Sequence, residues 1–198
     1  MKKRTWCCVT GIALLTATAG MAALVKAEGG EKRGVVIAYD SRNNSRAFAE
    51  VSAEVLAASG ITVYLFDGLR PTPELSFAVR ELGCLAGINI TASHNPKEYN
   101  GYKVYWSDGA QLPPQHADAV AAEMDRIDIF SDIKIADFDE AVASGMIQIM
   151  GKETDEAFLE CALSQVIYQE EIDKAADVKI VFTPFHGTGH VLVPEALK

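Results

Sequence analysis

Mostly apolar runs alternate with amphipathic stretches over the first half of the chain. Val35-Val36-Ile37-Ala38-Tyr39 is continuous, rich in β-branched residues and suited to a strand covered on both faces. After the polar loop Asp40-Ser41-Arg42-Asn43-Asn44, Ser45 is placed to cap a helix. The apolar residues of that helix, Phe48, Val51, Val55 and Leu56, fall on one side, and Gly60 stops it. Ile61 to Phe66 reads as the next strand, so this strand–helix–strand unit predicts a parallel pair with a right-handed crossover. The alternation then repeats. Thr72 before Pro73-Glu74 opens a helix that ends at Gly83, and Leu85 to Ile90 is a third strand delivering the loop Thr91-Ala92-Ser93-His94-Asn95-Pro96. Gly101 to Trp106 reads as a strand returning from that loop, with Ser107-Asp108-Gly109 as the turn behind it.

Beyond Pro113-Pro114, which opens a helix through about Ile127, the periodicity weakens. Asp137 to Ser144 and Thr154 to Ile167 read as helical, with Met146 to Met150 as an edge strand between them. Asp173 to Asp177 is a polar junction before a further apolar run, Val178 to Thr183, read as a new strand. A turn at Thr183 to His190 leads into a helix still running at Lys198. The expectation is an α/β fold of three α/β/α layers around a mixed, mainly parallel sheet, plus the start of a second similar domain. The expected divisions are residues 1–33 as an abnormal amino-terminal segment with a first helix from Ala17 to Ala27, 34–172 as the main domain, and 173–198 as the opening of the next.

A chain of 198 residues can bury one good core, or one domain and part of another. The net charge of −9 argues against nucleic acid as a partner, while leaving room for a small phosphorylated ligand in a local positive pocket. No membrane partner is expected. Adjacent Cys7 and Cys8 have no second pair at metal-site spacing, which argues against zinc, and Cys84 and Cys161 read as small buried hydrophobes in a reducing compartment. The amino terminus complicates that. Lys2-Lys3-Arg4, an apolar run from Trp6 to Leu15 and the small residues Ala17-Thr18-Ala19 resemble a secretory signal. Cleavage after Ala19 would cut the expected first helix, and the balance favours a cytoplasmic protein.

The loop from Thr91 to Lys103 carries the chemistry. In an open α/β sheet ligands collect at the carboxyl ends of strands, and Ser93 sits at such an end. No Gly-x-Ser-x-Gly elbow accompanies it, so an esterase nucleophile is not indicated. Lys103 lies where an amine returns towards the loop and can take a proton from an incoming hydroxyl, and His94 can hydrogen-bond a phosphate or share acid–base work. Asn95-Pro96 fixes the turn. His186 and His190 stand four apart, but without a nearby carboxylate or third histidine they do not make a metal site.

Thr91 to Pro96 followed by Tyr99-Asn100-Gly101-Tyr102-Lys103-Val104-Tyr105 resembles the active-site loop of the α-D-phosphohexomutases, the phosphoglucomutase and phosphomannomutase family. Asp40-Ser41-Arg42, Pro71-Thr72-Pro73 and Thr183-Pro184-x-His186-Gly187-Thr188-Gly189 resemble further elements of it. The resemblance implies a phosphosugar mutase working through a phosphoserine at Ser93 and a bisphosphate intermediate. His94 and Lys103 would be acid–base or charge-stabilising groups, and Arg42 and Asn95 would contact the substrate. It also implies Mg²⁺ contacting Ser93 through its phosphate, a bisphosphorylated sugar as activator and a sugar phosphate as partner, with glucose preferred over mannose or pentose. The family's Asp-Gly-Asp-x-Asp-Arg metal loop, its Glu-containing sugar loop and its Arg-Ser-Gly-Thr phosphate loop have no match here, which reads as a truncated, catalytic-serine portion inactive alone. The alternatives are a non-catalytic phosphosugar-binding remnant and, from the amino terminus, a secreted binding protein.

Overall fold

The computed structural model describes residues 2–175 and 177–198, with side chains described from residue 11 onward. Helix α1 (Lys2–Ala27) leads into β1 (Val35–Tyr39), α2 (Ser45–Ala58), β2 (Val63–Phe66), α3 (Thr72–Glu81), β3 (Ala86–Ile90) and β4 (Tyr102–Trp106). Then follow α4 (Pro114–Met124), α5 (Phe138–Ala143), β5 (Ile147–Met150), α6 (Lys152–Leu163), α7 (Gln169–Lys174) and α8 (Leu192–Ala196). Among the described residues the strands form one five-stranded sheet in the order β4-β3-β1-β2-β5. β1 pairs in parallel with β2 and β3, β5 adds in parallel to β2, and β4 alone runs antiparallel, against β3.

The layers follow from strand alternation. Val35, Ile37 and Tyr39 face one core with Met21 and Val25 of α1 and Ala49, Ala53 and Leu56 of α2, while Val36 and Ala38 face the other with Leu75, Ala78 and Val79 of α3. Every residue of β1 and β3 is buried, as continuous apolar runs in a doubly covered parallel sheet require. Gly87 sits where α3 crosses β3. A Cβ there would meet Val79 Cγ2 at 2.6 Å, so the glycine sets how closely that helix approaches.

Several boundaries differ from expectation. The first helix begins well before Ala17, and Leu14 and Thr18 on it are buried, Thr18 Oγ1 donating to the Leu14 carbonyl oxygen at 2.8 Å. The side chains of Lys2-Lys3-Arg4, Cys7 and Cys8, on which part of the amino-terminal reading rests, lie outside the described residues. Helix α6 ends at Leu163 rather than Ile167; Ser164 Oγ turns back to the Cys161 carbonyl at 2.7 Å. Cys161 is exposed, not buried, because α6 docks through Thr154 and Asp155 and leaves its other side open. Val178 to Thr183 forms no strand. Val178, Ile180 and Val181 are exposed, and among the described residues no strand lies beside them to complete a ladder. No described helix is long and apolar enough to cross a membrane.

Candidate active site

The chain leaves β1 to one side of the sheet, towards α2, and returns through α3 to enter β3 on the other side of β1. The carboxyl ends of β1 and β3 are therefore the switch point at which open α/β sheets bind ligands, and both candidate loops emerge there. Past Ile90 the ladder runs one step further, Thr91 N–H donating to Gly101 O at 3.0 Å, before the chain turns at Ser93. A Cβ on Gly101 would lie 2.6 Å from the Thr91 carbonyl oxygen, which is why a glycine stands there.

Ser93 is exposed and has φ 58°, in the left-handed region that costs a non-glycine residue about 1–2 kcal/mol. Its conformation is held from both sides. Its own N–H donates to Thr91 Oγ1 at 3.1 Å, and Asn95 N–H closes the turn onto Ala92 O at 3.1 Å. Its carbonyl accepts from Arg42 Nη2 at 2.5 Å.

Arg42 reaches across from the β1 loop and fastens the serine loop at several points. Nη1 donates to Pro96 O at 2.6 Å and to Tyr99 O at 3.5 Å, and Nε to Asp40 Oδ2 at 3.0 Å. With its side chain 9% exposed, the guanidinium is engaged with backbone carbonyls and a carboxylate rather than open to an anion. Asp40 also accepts from Arg42 N–H and from Ser45 Oγ at 2.7 Å, and Ser45 Oγ lies 3.1 Å from Asn100 Oδ1. The expected cap is thus replaced. Asn44, at φ 65°, precedes the helix with no side-chain cap, and Ser45 is the first helical residue, its hydroxyl tying the two loops together. Nothing in the order of residues marked Asp40, Ser45 and Asn100 as partners of one another.

The remaining candidates are placed as follows. His94 and Asn95 are exposed on the loop. His94 Nδ1 lies 3.4 Å from Ser93 Oγ, too long for a strong base–nucleophile bond. Lys103 is half-buried on β4, directly opposite Asn89 of β3, and makes no hydrogen bond to Ser93. From the late segment, the His186 carbonyl accepts from Ser41 Oγ at 2.5 Å, which brings the Thr183–Gly189 loop against the β1 loop. Among the described residues no three His, Cys, Asp or Glu converge to hold a metal. These side chains alone do not fit the Mg²⁺ site that the resemblance implies.

Beside the loops a cleft of about 620 Å³ opens between the ends of β1 and β2, lined by Asp40, Arg42, Arg46, Glu50, Asp67 and Leu69. Behind its floor lies a buried charge cluster absent from the sequence reading. Arg70, 5% exposed, forks onto Asp155 (Nε–Oδ1 2.6 Å, Nη2–Oδ2 2.8 Å), with Asp67 Oδ1 at 3.1 Å and Glu74 Oε1 at 3.8 Å. Glu74 is fully buried, and burial, then hydrogen bonding to Asp155, pushes its carboxyl up to about 8. Burial acts against ionisation of Asp155 as well, but the Arg70 fork and the hydrogen bond from Glu74 together outweigh it and hold that carboxyl below its usual range. Residues 70 and 155 are 85 positions apart, and no spacing rule couples them.

Comparison with known proteins gives one answer. Residues 8–129 match the family model described as phosphoglucomutase/phosphomannomutase, alpha/beta/alpha domain I. A phosphoglucomutase of Staphylococcus saprophyticus is 43% identical over 163 residues, 82% of this chain and 29% of that protein. One of Staphylococcus aureus is 43% identical over 166 residues, again 29% of its length. Among solved structures, a Thermus thermophilus protein described as a phosphomannomutase superposes with a TM-score of 0.67 at 28% identity, over 79% of this chain and 32% of the other. The Paramecium phosphoglucomutase parafusin superposes with a TM-score of 0.69 at 18% identity, a likeness of fold. This chain spans under a third of the length of the curated relatives named. A mixed three-layer sheet with a strained, clamped serine at its switch point accords with that match, and the chain belongs to the phosphoglucomutase/phosphomannomutase family, whose α/β/α domain I it contains.

Proposed function

We propose that this chain is the catalytic-serine portion of a phosphosugar mutase, with Ser93 as the group that carries the phosphoryl unit. The observation behind this is the Ser93 hydroxyl itself: exposed, at the carboxyl end of β3, on a backbone twisted to φ 58° and fixed by Arg42. Phosphoryl transfer asks a protein for position and charge balance more than for covalent activation, and a rigidly aimed hydroxyl with no triad suits it. In the forward step a sugar hydroxyl oxygen bonds to the phosphorus of phospho-Ser93. The Oγ–P bond breaks with its electron pair returning to Oγ, and Lys103 takes the hydroxyl proton. In the return step Ser93 Oγ bonds to the phosphorus of the other phosphate of the sugar bisphosphate. The bond from that phosphorus to the sugar oxygen breaks with its electron pair going to the sugar oxygen, and Lys103 gives the proton back to that oxygen, so that the phosphate has changed position on the sugar. His94 balances charge at the loop, Asn95 contacts the substrate, and Arg42 serves the substrate indirectly by holding the loop.

Glucose phosphates are the preferred substrates by likeness to the phosphoglucomutases, with a glucose bisphosphate as activator and the cytoplasm as the place of action. Mg²⁺ is expected to balance the phosphoserine charge, with its protein ligands supplied outside this chain. Residues from about 173 on are assigned to the opening of a second domain, and by itself the chain is assigned no turnover. The test is mass spectrometry after incubation with glucose 1,6-bisphosphate and Mg²⁺. One phosphoryl group is expected on Ser93 and none in Ser93→Ala, with no sustained conversion of glucose 1-phosphate. Phosphate on another residue, or a serine still bare after long incubation, refutes the carrier. Sustained turnover refutes the assignment of the chain as one part of a larger catalytic unit.

A further inference from the structure

Asn89 is a polar residue on an otherwise apolar buried strand, 2% exposed. Its Nδ2 donates to Thr72 Oγ1 at 2.8 Å, which fixes the amide plane against the first turn of α3. The other half of the amide is idle: Oδ1 is buried with no hydrogen-bond partner. A buried carbonyl oxygen without a donor is costly, and such an atom needs a reason. The residue directly across the ladder is Lys103. Two positions on, Thr91 N–H bonds to Gly101 O, so the 89/103 pair is of the hydrogen-bonded kind, with Cα atoms about 5.5 Å apart and side chains on one face of the sheet. The Lys103 ammonium itself has no side-chain hydrogen bond or ion pair among the described residues. An unpartnered ammonium on a flexible four-carbon stem and an unpartnered buried acceptor therefore share one face of the sheet on directly opposed residues.

We infer that Asn89 is a positioning residue for Lys103: its Oδ1 is the resting seat of the lysine ammonium, keeping that group on the α3 side of the sheet near the serine loop between transfers. A neutral amide suits this role better than a carboxylate. It steadies the ammonium through one charge-assisted bond yet leaves no fixed negative charge to hold the proton there, so the amine stays free to exchange it. Thr72 becomes the support behind the seat, since by holding Nδ2 it fixes the amide and leaves Oδ1 for the lysine. The role rests on reading Lys103 as the proton-handling group of a phosphoryl transfer, but the contact is measurable without turnover.

The experiment is competitive acetylation of the 198-residue chain with limiting acetic anhydride at one mildly alkaline pH. Peptide mass spectrometry reads Lys103 against Lys152, which is exposed and distant on α6. Asn89→Leu keeps the volume and removes the acceptor, so Lys103 loses the bond that holds its amine away from the reagent and labels about threefold faster or more. Asn89→Asp supplies a stronger acceptor, and Lys103 then labels more slowly than in the unsubstituted chain. An unchanged Lys103/Lys152 ratio in Asn89→Leu, or faster labelling in both variants, overturns the inference. Should circular dichroism show Asn89→Leu unfolded, Asn89→Asp decides alone: slower labelling supports the seat, equal or faster labelling overturns it. Phosphorylation of Ser93 is read from the same digests. A chain that never accepts phosphate but shows this labelling pattern refutes the mutase reading and upholds the seat, and the reverse result refutes only the seat.

Discussion

Replacing Glu74 by Gln separates the buried charge cluster from every other titrating group. Glu74 is an acid whose native carboxyl holds its proton to about pH 8, against an ordinary value near 4.5. Between those two values the unfolded chain has lost a proton that the folded chain keeps, so folding is favoured at low pH and stability falls as pH rises through the window. Below about pH 4.5 the contribution is complete, and above about pH 8 both states are ionised and the slope vanishes. Each unit of difference is worth about 1.4 kcal/mol, so raising the solution from about pH 6 to about pH 9 removes roughly 2–3 kcal/mol. Part of this is shared with Asp155 through the common proton, which makes about 1 kcal/mol the lower bound. Glutamine has the shape of the protonated acid and an N–H to donate to Asp155 in place of its O–H, so Glu74→Gln is expected to lie within about 1 kcal/mol of the parent near pH 6. Near pH 9 it should be the more stable protein by about 1–3 kcal/mol. Urea unfolding followed by tryptophan fluorescence measures both at each pH, and subtracting one curve from the other cancels the remaining titrations. Parallel stability profiles, or a parent that gains on the variant as pH rises, would show that the Glu74 carboxyl is ionised in the fold and the reasoning mistaken.

Ser93→Gly relieves the left-handed backbone and is expected to stabilise the chain by about 1 kcal/mol, seen as a rise of roughly 2–4 °C in melting temperature, whereas Ser93→Ala keeps the strain and gains nothing. Equal melting temperatures for the two variants would remove strain from the account of the serine. Arg42→Lys retains the charge but not the planar fork, and the Ser93, Pro96 and Tyr99 carbonyls lose their common clamp. Hydrogen exchange over residues 92–101 should then quicken by about tenfold, at a global cost of about 1–3 kcal/mol; unchanged protection of that peptide would mean the loop is held by other contacts.

The legible parts of this fold are those whose sequence pattern is also their structural cause. β1 and β3 read as strands because burial on both faces leaves no polar position except where chemistry or pairing demands one, and α3 read as a helix from Thr72-Pro73 to Gly83 for local reasons of φ and missing N–H. Val178 to Thr183 carries the same β-branched signal and stays open, because propensity describes one strand while a ladder needs two. Ser45 misled in a different way. Its residue type suits a cap, but the left-handed Asn44 before it moved the helix start by one residue and freed the hydroxyl to bridge Asp40 and Asn100. The Arg70–Asp155 fork was out of reach altogether, being a property of where α6 docks.

Register is what converts the sheet into a site. With β1 and β3 in parallel register and Tyr39 level with Ile90, the Asp40–Asn44 and Thr91–Asn100 loops leave the sheet at one height, and an arginine three residues past β1 meets a serine three residues past β3. A slip of one residue in β3 would turn Asn89 and Thr91 into the core shared with α1 and α2, bring Ile88 and Ile90 against α3, and carry Ser93 out of reach of Arg42. The apolar alternation that stabilises the sheet therefore also fixes the direction of the Ser93 hydroxyl. Any variant that weakens the Ile88 and Ile90 contacts is expected to loosen the serine loop before it unfolds the domain, because the loop's left-handed turn persists only while Arg42 stays in register to hold it.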